Sequence, residues 1–149
     1  MDLVSKFAES LKELMFYRQE QTTEQLVKET GISRATINMW RSGDANYLPS
    51  LASVILLADY YKCSVDFLIG LENENYNPNP KPCPPFSERF KVAVKSRGFS
   101  LNKLSKVINM GSGNFYRWIR GEREPSLDSL VRIAKALDCT VDYLLGRGD

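Results

Sequence analysis

Apolar residues recur along this chain with the period of a helix. Leu127, Leu130, Val131, Ala134 and Leu137 fall at i, i+3, i+4, i+7 and i+10, one face of an α-helix. Leu51, Val54, Ile55, Ala58 and Tyr61 draw the same face earlier in the chain. Both runs follow a Pro-Ser pair, and Ser50 and Ser126 are good N-caps because a serine hydroxyl accepts from the open amides of the first turn. Thr22 opens another helix, with Gln25 three residues on to close a capping box. Applied throughout, the pattern predicts helices over 5–18, 23–30, 34–42, 51–61 and 65–69, then 86–97, 101–108, 112–120, 127–137 and 141–145. No alternating run of useful length argues for a strand, so the expected class is all-α.

The pattern is written twice. Pro49-Ser50-Leu51, with Cys63-Ser64-Val65-Asp66-Phe67-Leu68-Ile69-Gly70 after it, returns 76 residues later. The second copy is Pro125-Ser126-Leu127 with Cys139-Thr140-Val141-Asp142-Tyr143-Leu144-Leu145-Gly146. Trp40 matches Trp118 and Leu26 matches Leu104 at offset 78, while Phe7 and Glu9 match Phe86 and Glu88 at offset 79. One structural unit is used twice. The expected domains are residues 1–70 and 86–149, five helices each, joined by a Pro/Asn-rich linker over 71–85. Prolines 78, 80, 82, 84 and 85 forbid a regular helix there and favour extended chain. At about 3.1 Å per residue such a spacer reaches roughly 45 Å.

Composition narrows the chemistry. Of 149 residues none is histidine, which removes the commonest general base, the His-paired nucleophiles and most zinc patterns. Cys63 and Cys139 hold equivalent places after an apolar helix and read as buried structural thiols; Cys83 lies in the linker. No catalytic set, metal site, cofactor or small-molecule ligand is expected, and the chain is read as not an enzyme. No stretch approaches 18 apolar residues and no signal-peptide pattern opens the chain, so no membrane partner is expected and the cytoplasm is the expected location. The net charge of +2 hides an asymmetry. Residues 1–70 carry seven Lys/Arg against nine Asp/Glu, and residues 71–149 carry thirteen against nine. The basic half suits a polyanion better.

Leu26, Gly31, Ile37 and Trp40 set two short helices either side of a glycine-containing turn, the helix-turn-helix arrangement. Gly31 aligns with Asn109, and asparagine is among the residues best able to replace glycine in the left-handed conformation. With Ser33 and Gly43 these residues closely resemble the lambda-repressor-like (Cro/XRE) helix-turn-helix family. Pro125 to Gly146 matches the family's closing segment especially well, and both units share the resemblance. It implies sequence-specific binding of double-stranded DNA, usually by a repressor or other transcription regulator of bacteria or their mobile elements.

Carried over by residue, the resemblance places Arg34, Ala35, Asn38 and Met39 against base edges, with Ile37 and Trp40 buried. In the second unit the matching positions are Ser112, Gly113, Tyr116 and Arg117, with Asn114 nearby and Phe115 and Trp118 buried. Arg34 suits guanine, Asn38 suits adenine and Ala35 a thymine methyl, and Arg117 is the best single base-reading candidate of the second unit. Thr23, Arg41, Ser42, Arg120 and Arg123 are the expected backbone contacts. The chain departs from the family in places. Thr23 and Leu101 stand where a DNA-contacting glutamine often begins the second helix. The family's Arg–Glu pair between first and third helices is replaced by Met15 opposite Arg41 and by Val94 opposite Ile119. Glycines 111 and 113 at the start of the second reading helix weaken that end. Trp40, Trp118, Tyr60, Tyr61 and Tyr143 are expected to pack rather than stack on bases.

The expectation is a transcription regulator with two unlike reading helices, preferring two unlike half-sites. The alternative is that the acidic first domain serves dimerisation, or grips another regulator protein, while only the second binds DNA.

Overall fold

The computed structural model describes residues 2–44 and 48–148. Among them are ten helices and no strand. Compactness divides the chain into residues 1–79 and 80–149.

In the first unit α1 (Leu3–Tyr17), α2 (Thr23–Thr30), α3 (Arg34–Ser42), α4 (Leu51–Tyr61) and α5 (Val65–Leu68) follow the predicted boundaries within two residues. Asp2 caps α1 by accepting from the Ser5 N–H at 2.8 Å, a bond that holds its carboxyl below the usual range. The capping box at α2 has both of its bonds: the Gln25 N–H donates to Thr22 Oγ1 at 3.2 Å, and the Thr22 N–H to Gln25 Oε1 at 2.8 Å. Ser33, Ser50 and Ser64 cap α3, α4 and α5 in the same manner. The core gathers Phe7, Leu11, Leu26, Ile37, Val54, Leu57 and Ala58, all without measurable exposure. Leu57 lies off the stripe expected for α4, whereas Ile55 and Tyr61 on that stripe are only half-buried, so the buried face is turned toward Leu57.

In the second unit α6 (Phe86–Ser96), α7 (Leu101–Ile108), α8 (Ser112–Ile119), α9 (Leu127–Ala136) and α10 (Val141–Leu145) repeat this order. Its core is more aromatic. Phe90 and Phe115 replace Leu11 and Ile37, and with Phe86 and Trp118 they form a cluster of edge-on and stacked rings with centroids 5.3–6.1 Å apart. Ile133, outside the expected stripe, is also fully buried. Cys63 is buried as expected, but Cys139 is only half-buried.

The repeated turn has a repeated backbone. Gly31 ends α2 at φ 77° and Asn109 ends α7 at φ 52°, both left-handed. A Cβ on Gly31 would meet no heavy atom within 4 Å, so only its dihedral constrains the position. Gly31→Ala should therefore destabilise the unit by about 1–2 kcal/mol, and Gly31→Asn by less than about 0.5 kcal/mol, in urea unfolding of the full chain. Equal losses would contradict a purely conformational role.

Two arginines hold the ends of the fourth helices. Arg18 donates from Nη1 to the Tyr60 carbonyl at 3.3 Å, and its guanidinium lies 4.4 Å over the Tyr60 ring. Arg97, 79 residues on, donates to the carbonyls of Leu137 and Asp138 at 3.0 and 2.8 Å. Each offers positive charge and donors to the carbonyl end of a helix. Beside Arg18, the Tyr61 hydroxyl donates to Gln21 Oε1 at 2.7 Å, and burial pushes its phenol well up.

The stretch expected as one extended spacer is tied down at both ends. In the first unit the N–H groups of Leu71 and Glu72 donate to the Asp66 carbonyl, and the Tyr76 hydroxyl donates to Asp66 Oδ2 at 2.7 Å. Asn75 donates to the Lys62 carbonyl and accepts from the Ser64 N–H, closing the corner between α4 and α5. In the second unit the Lys81 N–H donates to the Arg147 carbonyl at 2.8 Å and the Cys83 thiol to the Leu145 carbonyl at 3.1 Å. The prolines forbid a helix here, but the interspersed Asn, Tyr and Cys side chains supply the donors and acceptors that dock the chain.

Candidate nucleic-acid interface

In each unit the third helix packs against the second after a short turn. Ile37 and Trp40 point into the core, Trp40 against Phe7 at 5.7 Å between ring centroids. Burying that side of α3 leaves Arg34, Ala35 and Asn38 exposed on the other, with Met39 half-buried at its edge. On α8, Phe115 and Trp118 are buried, Gly113, Asn114, Tyr116 and Arg117 are exposed, and Ser112 is half-buried. Seven of the nine residues expected to read bases are thus exposed, and Met39 and Ser112 are half-buried.

The expected backbone contacts fall beside them. Arg41 donates from Nη1 to Thr23 Oγ1 at 2.7 Å, while its Nε is buried with no hydrogen-bond partner among the described residues. Met15, expected opposite Arg41, is buried apolar core. The effect is to join two expected contacts, a guanidinium and a hydroxyl, at the N-terminus of α2, where helix dipole and open amides favour an anion. Ser42 donates to the Met39 carbonyl at 2.7 Å. Arg120 and Arg123 are exposed just after α8. Arg120 presents Nε and Nη2 to the two oxygens of Glu122 at 2.9 and 3.2 Å, and this bond holds the Glu122 carboxyl below the usual range.

One partner has no counterpart in the sequence expectations. Glu24, second residue of α2, accepts from Arg34 Nε at 2.6 Å and from Nη2 at 2.7 Å. Nothing in local spacing signals this, because the two residues lie ten apart on different helices. The second unit has Asn102 and Ser112 at the matching positions, and Lys103 follows, 4.7 Å from the Phe99 ring centroid.

The third helices of the two units, α3 and α8, also start differently. Ser33 Oγ accepts from the Thr36 N–H, whereas Gly111 offers α8 no side-chain cap. Charge separates the units further once the boundary follows the fold. Residues 1–79 carry seven Lys/Arg against eleven Asp/Glu, and residues 80–149 carry thirteen against seven. Among the described residues no group of three or more Cys, Asp or Glu could hold a metal ion, and no helix is long and apolar enough to cross a membrane.

A helix-turn-helix family model matches the chain twice, over residues 14–68 and 91–144. The HTH-type transcriptional regulator ImmR of Bacillus subtilis (strain 168) is 27% identical over 62 residues, covering 42% of this chain and 49% of that protein. Repressor protein C2 of Salmonella phage P22 is 34% identical over 62 residues, covering 42% of this chain and 28% of its own length. The chain thus spans half or less of the relatives it matches. No solved structure matches it significantly.

Proposed function

The chain belongs to the helix-turn-helix family, of Cro/XRE type, in both of its units, and from that premise we propose that it regulates transcription by sequence-specific binding of duplex DNA, as a repressor. The observation that carries this reading is the division of α3 and α8 into a core side and an exposed side, with Arg34, Asn38 and Arg117 on the exposed one. Two base-reading helices with different side chains favour an operator of two unlike halves. Tethering makes the second contact intramolecular, so two modest modules bind usefully together. Bound there, the protein would act by excluding polymerase from the site.

Net charge supports a division of labour. The second unit, basic and carrying Arg117, Arg120 and Arg123 on or just after its reading helix, supplies most of the attraction to phosphate. The acidic first unit keeps the other reading in play, in which it grips a protein, a second copy or another regulator, and the second unit alone holds DNA.

Selection from a randomised duplex pool by the full chain decides between them. Two-headed reading expects enrichment of two unlike half-sites, with affinity falling steeply as salt rises. Enrichment of a single half-site that only second-unit substitutions disturb would assign DNA to that unit and leave the first for protein. Failure to enrich any sequence would overturn the proposal.

A further inference from the structure

We propose that Glu24 is a positioning and specificity residue for the first unit, orienting Arg34 for guanine while discouraging non-specific docking. The inference rests on the reading above that α3 of the first unit faces DNA.

The argument begins with the guanidinium. It carries five N–H donors in a rigid plane. Glu24 takes the side edge, with Nε on one carboxylate oxygen at 2.6 Å and Nη2 on the other at 2.7 Å. That uses the Nε hydrogen and one Nη2 hydrogen. The end edge, made by Nη1 and the other Nη2 hydrogen, is the one that can donate in parallel to O6 and N7 of guanine. One plane therefore serves both partners at once. Arginine otherwise loses much rotamer freedom on binding, and a carboxylate already holding the plane reduces that loss.

Glu24 has a second effect through its charge. It stands in the first turn of α2, next to Thr23, which Arg41 contacts at the helix N-terminus expected to meet phosphate. A carboxylate there repels phosphate oxygens wherever the protein lands. At a site offering guanine, the bond from the oriented Arg34 offsets that repulsion; elsewhere that bond is missing. Affinity for the right sequence and aversion to the wrong one then come from the same side chain. The second unit, with Asn102 and Ser112 at these positions, does not possess the device.

A merely structural Glu24, serving the helix dipole alone, would on removal weaken all binding together. The proposed role moves the two kinds of binding in opposite directions. The test uses the full chain as wild type, Glu24→Ala, Glu24→Gln and Arg34→Ala. Each is put through selection from a randomised duplex pool, and each is titrated with a mixed-sequence duplex that the wild type does not enrich. Arg34→Ala first identifies the guanine read by the first unit. Glu24→Ala should lower enrichment of that guanine about five- to tenfold, and tighten binding to the mixed duplex about two- to fivefold. Glu24→Gln removes the charge but keeps one acceptor, so it should raise mixed-duplex binding equally while losing less of the guanine preference. If Glu24→Ala leaves the guanine preference intact, or weakens both kinds of binding, the inference is overturned with the DNA reading still standing. If Arg34→Ala leaves the enriched sequence unchanged, the reading of the first unit fails and takes the inference with it.

Discussion

Replacing Arg147 by alanine should destabilise the second unit by about 3–5 kcal/mol. Arg147 and Asp142 are both fully buried, with Nη1 2.7 Å from Oδ1. The backbone repeats the link, the Arg147 N–H donating to the Asp142 carbonyl at 2.9 Å. Removing the arginine leaves the Asp142 carboxylate in the core without this cation, and a buried charge deprived of its partner is among the costliest defects a fold can carry. Domains of this size are held by roughly 5–15 kcal/mol, so the loss is a large share of the whole. Each unit has one tryptophan, Trp40 or Trp118, so urea unfolding followed by fluorescence in a Trp40→Phe background reports the second unit alone. The midpoint should fall sharply for Arg147→Ala, and Asp142→Ala combined with it should cost less than the two singles summed. A shift smaller than about 1 kcal/mol would mean that the pair is not the keystone its burial implies.

Arg117→Ala should weaken binding to the best selected duplex by about 1–3 kcal/mol, roughly five- to 150-fold, and barely affect a mixed-sequence duplex. Arg117 is exposed on α8, three residues before Arg120 and six before Arg123, in the unit with excess positive charge. Arg123→Ala makes the contrast. A phosphate contact should weaken binding to all duplexes alike and reduce the salt slope by about one. Equal losses on both duplexes for Arg117→Ala would move that residue from base reading to phosphate contact. No loss on either would remove α8 from the interface.

Much of this architecture is legible in the sequence. Helix boundaries fell within two residues because they depend on a 3.6-residue period and on caps reaching three residues ahead, as at Thr22 and Gln25. The shared turn was readable because glycine and asparagine are the residues that tolerate its dihedral, and Gly31 and Asn109 both adopt it. The outward placing of Arg34, Asn38 and Arg117 comes from the family resemblance, and Ile37, Trp40, Phe115 and Trp118 are buried as that resemblance implies. A single stripe describes a helix with one neighbour; α9 packs on both α7 and α10 and buries Ile133 as well, while α4 turns its buried face toward Leu57 and leaves Ile55 half-buried.

Partnerships across elements were not legible. Asp66 and Asp142 hold equivalent places in the repeat, yet Asp142 meets Arg147, whereas Asp66 accepts from Tyr76 and the residue matching Arg147 is Leu71. The linker prolines said what the chain there could not form, and the hydrogen bonds of Asn75, Tyr76 and Cys83 decided what it did. Arg34 was readable as an exposed base-reading candidate, but its carboxylate partner Glu24 was not. The helices, their caps and the turn are written in residues within a few positions of one another, and the duplication in the return of that local pattern 76–79 residues on. The pairing of Arg34 with Glu24 belongs to the packing of α3 on α2, and no pattern local to either helix carries it.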